Sequence, residues 1–117
     1  MLQSRRFSRN DRLQKAAANT PPLAHGSTGL AVELLQSTLV EFGFPMPIST
    51  KHGRIRADGI YGSETTATVR KFQTQQGLSA DGSAGRDTLH RLDQMQMMKD
   101  QQFEMSERLL ERLNLWT

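Results

Sequence analysis

The 117-residue sequence contains no cysteine, which excludes disulfide bonds and any zinc site built on thiolate ligands. Aromatic residues are scarce, since five Phe, one Tyr and one Trp make up 6% of the chain. A core must therefore be mostly aliphatic. No stretch approaches the roughly 18 apolar residues of a membrane-spanning helix, so we expect no membrane contact. A chain of this length is typical of about one domain.

Positive charge is concentrated at the start of the chain. Residues 1–21 contain five basic side chains against one acidic, a net of +4, whereas residues 22–92 net +1 and residues 93–117 net −2. A basic segment of this kind suits nucleic acid, anionic lipid or the acidic face of a protein. Its composition favours a solvated, partly disordered arm, and nucleic acid is the least favoured partner. The basic residues are Arg5, Arg6, Arg9, Arg12 and Lys15.

The beginning of the chain does not read as a secretion signal. Arg5-Arg6 is followed by polar residues, and not by the apolar run of seven or more residues that an exported precursor needs. We therefore expect a protein made in the cytoplasm, without a signal peptide or transmembrane segment, whose release or delivery would use a non-classical route.

Residues 9–19 predict a short helix. Ser8 or Asn10 suits its N-cap, and Pro21 and Pro22 end the helical pattern. Leu13 is its one large apolar side chain, so the helix must dock on the rest of the chain or fray.

A second helix is predicted over 30–42, because apolar residues recur at spacings of three and four. Ser27 or Thr28 is the expected cap, and Gly43 suits a left-handed terminating position. The stripe consists of Val32, Leu35, Leu39 and Phe42.

Two segments share the pattern Asp-Gly-x-x-Gly-x-x-Thr, namely residues 58–65 (DGIYGSET) and residues 81–88 (DGSAGRDT). Asp-Gly predicts a tight turn, with Gly59 and Gly82 at positive φ. The second glycine fits a helix N-cap, and the acid two residues later faces the positive helix end. Each segment is therefore predicted to begin a helix.

The first of these helices is predicted over 63–75, with Ala67, Val69 and Phe72 inward and the pair Gly77-Leu78 as its end. The second begins at Arg86, after which neither Gly nor Pro occurs. One long helix and two helices with a kink both fit. The expected core of the three helices is Val32, Leu35, Leu39, Val69, Phe72, Leu78, Leu89 and Leu92.

The ordered set of these pieces resembles the peptidoglycan-binding domain family of the small three-helix type. The resemblance covers residues 22–92 and implies an all-α bundle with Asp-Gly turns, flanked by an arm (1–21) and a helical tail (93–117). It also implies a ligand, the stem peptide and glycan of the bacterial wall. The pieces are Gly26-Ser27-Thr28-Gly29, Leu35-Gln36, Asp58-Gly59-Ile60-Tyr61-Gly62 with Thr65, Val69-Arg70-Lys71-Phe72-Gln73, Gly77-Leu78, and Asp81-Gly82 through Gly85 to Thr88.

The sequence offers no catalytic constellation. His25, His52 and His90 lack metal-ligand spacing, and no serine lies in a Gly-x-Ser-x-Gly elbow. Asp58 and Asp81 are better explained as turn residues than as paired catalytic carboxylates. We expect no enzyme activity, no metal and no cofactor.

A site for wall fragments needs an aromatic platform, hydrogen-bond donors and positive charge. The candidates are Tyr61, the loop residues Arg54 and Arg56 (beside Lys51), and the helical pair Arg70 and Lys71. Each has a structural alternative: Tyr61 as a core aromatic, the helical pair as a solvated face. Gln36 and Gln73 are expected to bond loop backbone.

The tail carries more large apolar groups than a solvated helix needs, so we expect it either to fold back on the domain or to bury its stripe in a protein partner or a second copy of the chain. The candidates are Met98, Phe103, Leu110, Leu113 and Trp116.

Two hypotheses for function follow. The first is a non-catalytic peptidoglycan-binding module, an accessory protein of a phage or a phage-tail-like injection machine. The alternative is an assembly or adaptor protein that uses the same fold and its C-terminal helix to bind a protein.

Overall fold

The computed structural model describes residues 1–49 and 57–113, and their regular structure is helical apart from two isolated β-bridges. The predicted all-α fold is confirmed. The three longer helices begin where the sequence predicts, and the first two of them end within a residue of their predicted ends. The helices are α1 (Arg5–Ser8), α2 (Asp11–Ala16), α3 (Leu30–Glu41), α4 (Ser63–Gln75) and α5 (Arg86–Arg112).

Glycines end α3 and α4 in the same way. Gly43 (φ 94°) and Gly77 (φ 73°) adopt the left-handed conformation that side chains disfavour. The next residue then donates back into the helix: Leu78 N–H bonds Gln73 O at 2.8 Å, and Phe44 closes α3 in the same manner. These bonds satisfy carbonyls that a helix end otherwise leaves unpaired.

The start of α3 differs from the prediction of a Ser27 or Thr28 cap. The N-cap is Gly29 at φ 114°, without a side-chain cap. Gly29 N–H donates to Gly59 O at 2.9 Å, and Thr28 forms a β-bridge to Ile60, in the first Asp-Gly segment. The Ser27 hydroxyl accepts instead from Ala24 N–H at 3.2 Å. Backbone pairing with the Asp-Gly turn thus replaces the predicted cap.

The predicted core is confirmed except at one position, since Leu78 is only half-buried. Phe72 is 0% exposed and meets the ring of Phe44 edge to face, with centroids 5.6 Å apart. Ala67, which was predicted to face inward, is exposed. It lies two residues from both Thr65 and Val69 on α4, on the face opposite the buried stripe.

Helix α5 is continuous over its 27 residues, which resolves the choice between one helix and two. Its fully buried residues end at Gln96. At ~1.5 Å per residue, the portion after Gln96 extends some 24 Å along the helix axis. It therefore carries the tail's apolar side chains past the core.

The N-terminal arm is part of the core, so the prediction of a solvated, partly disordered arm is wrong and the docking alternative is confirmed. Instead of one helix over 9–19, two short helices meet at Asn10, whose Oδ1 caps α2 by accepting from Leu13 N–H at 2.9 Å. Because of α1, which the single-helix prediction left out, Leu2 and Phe7 also reach the core. Leu2, Phe7 and Leu13 are each at most 1% exposed.

Polar contacts fix this arm on α5. The buried carboxylate of Asp93 accepts from the backbone N–H groups of Gln3 (2.9 Å) and Ser4 (2.8 Å). At the other end of the arm, Asn19 Oδ1 accepts from Arg86 N–H at 2.9 Å and so caps α5. Both interactions satisfy free N–H groups at helix starts.

Candidate functional site

The two Asp-Gly turns are fixed by buried glutamines. Gln36, on α3, donates to Ile60 O (3.0 Å) and Thr65 Oγ1 (2.9 Å), while its Oε1 accepts from Gly59 N–H at 3.0 Å. The expectation that this amide bonds loop backbone is confirmed. A buried amide with all its partners supplied fixes one turn geometry.

Gln73, on α4, repeats the arrangement at the second turn. It donates to Ser83 O (2.9 Å) and Thr88 Oγ1 (2.9 Å) and accepts from Gly82 N–H at 3.0 Å. Gly82 has φ 80°, and Gly59 has φ 71°, as predicted. The part of the chain from α3 to the start of α5 is therefore built from two equivalent units, each a helix, an Asp-Gly turn and a second helix, and the two units share α4.

The structure places Tyr61 in the core, and its ring offers no exposed face to a ligand. The residue is 0% exposed, and its hydroxyl donates to Gly82 O at 2.6 Å. Burial, followed by the negative charge of Asp81, raises the pKa of the Tyr61 phenol. The structural alternative holds: Tyr61 supports the second turn from beneath and does not form a platform.

Arg70 and Lys71 are both exposed on α4. Arg70 lies across the second turn, since a Cβ on Gly82 would stand 3.1 Å from Arg70 Nε and 2.8 Å from Thr66 Cγ2. Lys71 shares a face with Ala67 and Glu64, because these residues are spaced at four and seven positions. We call Glu64, Ala67, Arg70 and Lys71 the α4 face.

Glu64 binds the loop that follows α3. Its carboxylate accepts from Ile48 N–H (2.9 Å) and Ser49 N–H (2.7 Å). Burial by itself raises the pKa of this carboxyl, but these donors outweigh it, and the pKa of Glu64 lies below its ordinary value. The sequence indicated only a helix-end role for Glu64. The hydrogen bonds of Glu64 to this loop depend on the backbone path of the loop, which hydrophobic periodicity does not predict.

Several candidates lie outside the described residues, namely Lys51, Arg54, Arg56 and His52 in the loop and Trp116 in the tail. Ser49 and Ala57, which flank the loop segment, are both buried. Among the candidates that the structure does describe, Arg70 lies next to the second Asp-Gly turn, to which the Tyr61 hydroxyl donates.

The described residues hold no group of three or more His, Asp or Glu side chains placed to bind a metal ion. Asp58 and Asp81 act within their turns, where each accepts from the backbone N–H two residues later at 2.9 Å. His25 is exposed on a loop and His90 is half-buried on α5. No described helix is both long and apolar enough to span a bilayer.

Most of the tail candidates that the structure describes are exposed to solvent. Met98, Phe103 and Leu113 are 60%, 65% and 56% exposed, and Leu110 is half-buried. Met105 (67%) and Leu109 (55%) are exposed on the same part of α5. Their exposure follows from the length of α5 beyond the core.

Comparison with known proteins places this geometry in a family. A model described as "Putative peptidoglycan binding domain" matches residues 28–92. The zinc D-Ala-D-Ala carboxypeptidase of Streptomyces albus G is 38% identical over 74 residues, which are 63% of this chain and 27% of that protein. A probable N-acetylmuramoyl-L-alanine amidase of Bacillus licheniformis is 42% identical over 66 residues, 56% of this chain and 17% of that protein.

Among solved structures, the crystal structure of the SleB N-terminal domain is similar, with a TM-score of 0.52 and 32% identity over 63% of this chain and 90% of that one. The chain spans about a quarter or less of the curated enzymes it matches, so the likeness covers one domain of each. Over more than half of its length, in its helices and in its paired Asp-Gly turns, the chain belongs to the peptidoglycan-binding domain family.

Proposed function

We propose that this protein is a non-catalytic module that binds peptidoglycan through the α4 face together with the basic residues Arg54 and Arg56. The family match supports a wall ligand, and the relatives' names concern enzymes that share only this domain. The observation that carries the site is the placement of Arg70 over the second turn, next to exposed Lys71. Exposed cations on a rigid helix suit the carboxylates of a stem peptide.

The charge balance of this face supports an anionic ligand. Glu64 is its one described carboxylate, and two backbone N–H groups already engage that carboxylate. The side chains of Arg70 and Lys71 carry the remaining charge. Arg54 and Arg56 belong to the proposal by sequence, since they follow Ser49 along the chain.

Retention by purified sacculi tests the proposal. Replacing Arg70 and Lys71 together with Ala should weaken retention several-fold, and so should replacing Arg54 and Arg56. Added salt should also weaken it, because exposed ion pairs are screened. Lys15→Ala with Arg91→Ala removes the same charge from exposed sites elsewhere and serves as the matched control. Wild-type protein that sacculi do not retain would overturn wall binding, and an unimpaired Arg70/Lys71 variant would overturn the site.

A second function is favoured by the exposed tail. Helix α5 continues beyond the core and exposes apolar side chains there, namely Met98, Phe103, Met105 and Leu109. An exposed apolar surface of this kind suits an adaptor that docks on a protein. The exposed pair Met105→Glu and Leu109→Glu should abolish co-purification of a partner while leaving sacculus retention unchanged. If this variant keeps both partner co-purification and sacculus retention, the tail is not a docking element.

The accessory role in a phage or phage-tail-like injection machine is a finer proposal within the first function. Neighbouring genes for sheath, baseplate or lysin proteins would support it, and a neighbouring toxin or unrelated enzyme gene would favour the adaptor.

A further inference from the structure

A cleft of about 560 Å³ lies between the arm, the end of α3 and the part of α5 from Gln96 to Glu107. This volume falls within the usual range of small-ligand sites, ~300–1,000 Å³. The cleft lies outside the α4 face, and its α5 residues follow the end of the family match at residue 92. It is lined by Arg5, Arg6, Glu41, Gln96, Lys99, Asp100, Phe103, Glu104 and Glu107.

Gln96 contributes a buried acceptor without a donor. The residue is 5% exposed, and its Nε2 donates to Asp100 Oδ1 at 3.0 Å. Its Oε1 is buried and accepts no hydrogen bond from the part of the chain that the structure describes. Reversing the amide would turn its oxygen toward the Asp100 carboxylate, so the orientation is fixed. An unpaired buried acceptor destabilises the protein, and a ligand that supplies a donor would remove this cost.

The cations around the cleft are already engaged. Arg6 pairs with Glu41 and donates to Thr38 Oγ1 at 3.0 Å. The hydrogen bond from Arg6 lowers the pKa of the Glu41 carboxyl, which stays ionised beside it. Arg5 pairs with Glu104 at 3.1 Å.

The groups left over on α5 are mostly acceptors. Lys99 Nζ lies 5.3 Å from the centroid of the Phe42 ring, in cation–π contact. Glu107 forms no hydrogen bond or ion pair with the described residues. Gln96, Asp100 and Glu107 fall on one stripe of the helix, at spacings of four and seven, with the exposed ring of Phe103 between the last two.

We propose that this cleft binds a primary ammonium group carried on an aliphatic stem. The ammonium donates to Gln96 Oε1 and to Asp100, since three N–H donors suit several oxygen acceptors. The stem lies on the Phe103 ring, and Glu107 faces the far end of the stem. From Asp100 to Glu107 the helix rises about 10 Å, which exceeds the reach of a four-carbon stem and leaves room for the backbone that bears it.

Access to Gln96 requires the rim of the cleft to move. The ion pair between Arg5 and Glu104 is the movable group, because the Arg5 side chain is 88% exposed. An exposed ion pair of this kind contributes little to stability, so it opens readily. Opening it also removes a positive charge from the path of the ammonium.

Titration of the full chain with Nα-acetyl-lysine methylamide, followed by NMR of the Gln96 side-chain amide and of the Asp100 and Phe103 backbone, tests the proposal. The matched probe is Nα-acetyl-norleucine methylamide, which has the stem without the ammonium. We expect saturable shifts at these residues with the first probe and at least tenfold weaker binding of the second, since a charge-assisted bond contributes about 1.5–3 kcal/mol. Equal responses to both probes, or shifts located elsewhere, would overturn it.

Three variants separate binding from folding. Gln96→Leu should lose the lysine-probe response, and Gln101→Leu, an exposed glutamine on the same helix outside the cleft, should keep it. Arg5→Ala should bind the probe more tightly than wild type, because it opens the rim. Damage to the fold would weaken binding in every variant, so tighter binding by Arg5→Ala supports the cleft. Unchanged or weaker binding there would contradict it.

Discussion

Gln73 Nε2 donates to Thr88 Oγ1 at 2.9 Å, and this bond ties α4 to the first turn of α5. The same amide holds the intervening Asp-Gly turn by its bonds to Gly82 and Ser83. Gln36 makes the equivalent bond to Thr65 at the same distance. The repeated sequence pattern is thus a repeated hydrogen-bond unit, in which a glutamine on one helix positions the start of the next.

Replacing Gln73 with Leu should lower the free energy of unfolding by at least about 2 kcal/mol, because the Gly82 N–H and the Ser83 carbonyl lose their buried partner. Chemical denaturation measures the change. Gln75→Leu, on the exposed face of the same helix, should stay within about 0.5 kcal/mol of wild type. Equal midpoints for the two variants would mean that the amide network does not stabilise the turn.

The sequence predicted these units because their signals are local. Asp-Gly, the second glycine and the apolar spacing each act within a few residues, so helix starts at Ser63 and Arg86 could be placed. The cap of α3 could not, since Gly29 is positioned by a backbone bond to Gly59, thirty residues away. The pairing of Gly29 with Gly59 is determined by the tertiary fold, and the spacing of residues along the sequence does not predict it.

Gly82 should tolerate alanine less well than Gly77 does. Both have positive φ, which costs an L-residue roughly 1–2 kcal/mol. A Cβ at Gly77 meets open space, whereas one at Gly82 would stand 2.8 Å from Thr66 Cγ2. The midpoints of thermal unfolding of Gly77→Ala and Gly82→Ala distinguish the two effects, because Gly77→Ala adds backbone strain alone and Gly82→Ala adds backbone strain and a steric clash. A Gly82→Ala protein that melts at or above the Gly77→Ala midpoint would contradict this packing.

Asp93→Ala should detach the start of the arm. The substitution removes the acceptor of two backbone N–H groups, and a loss of about 1–3 kcal/mol is expected. Amide hydrogen exchange should rise at Gln3 and Ser4 and stay slow in α4. Glu111→Ala, an exposed acid on the same helix and far from its start, is the control. Unchanged protection at Gln3 and Ser4 would show that other contacts dock the arm.

The arm and the tail were harder to predict because their partners are distant in sequence. Asp93 and Gln96 interrupt the apolar stripe of α5, and that interruption was the available signal. A polar residue at a core position indicates a buried polar partner. Its identity, the backbone of Gln3 and Ser4 for Asp93, depends on a contact across 89 and 90 residues.

Phe72→Ala should cost about 3–5 kcal/mol, the usual range for a buried phenylalanine. Phe103→Ala is the matched comparison, because that ring is 65% exposed and its loss should hardly change the unfolding midpoint. The same Phe103 variant should weaken binding of the lysine probe. If Phe72→Ala melts with wild type, the ring is not part of the stabilising core.

Tyr61 should resist ionisation for as long as the protein is folded. It is the one tyrosine of the chain, so tyrosinate absorbance reports on this residue alone. Its folded pKa is raised above the ordinary value of 10.0, chiefly by burial. The stabilisation from the protonated phenol is therefore complete below pH 10.0 and is lost as pH rises from there toward the folded pKa.

Alkaline titration with parallel circular dichroism measures both events. In wild type, tyrosinate should appear together with loss of helical signal, and the unfolding free energy should fall above pH 10.0 more steeply than in Tyr61→Phe. At neutral pH, Tyr61→Phe should cost about 0.5–1.5 kcal/mol, because Gly82 O loses its hydroxyl donor. Ionisation near pH 10.0 with the helical signal intact would place the phenol in solvent, and the second turn would then lack its support.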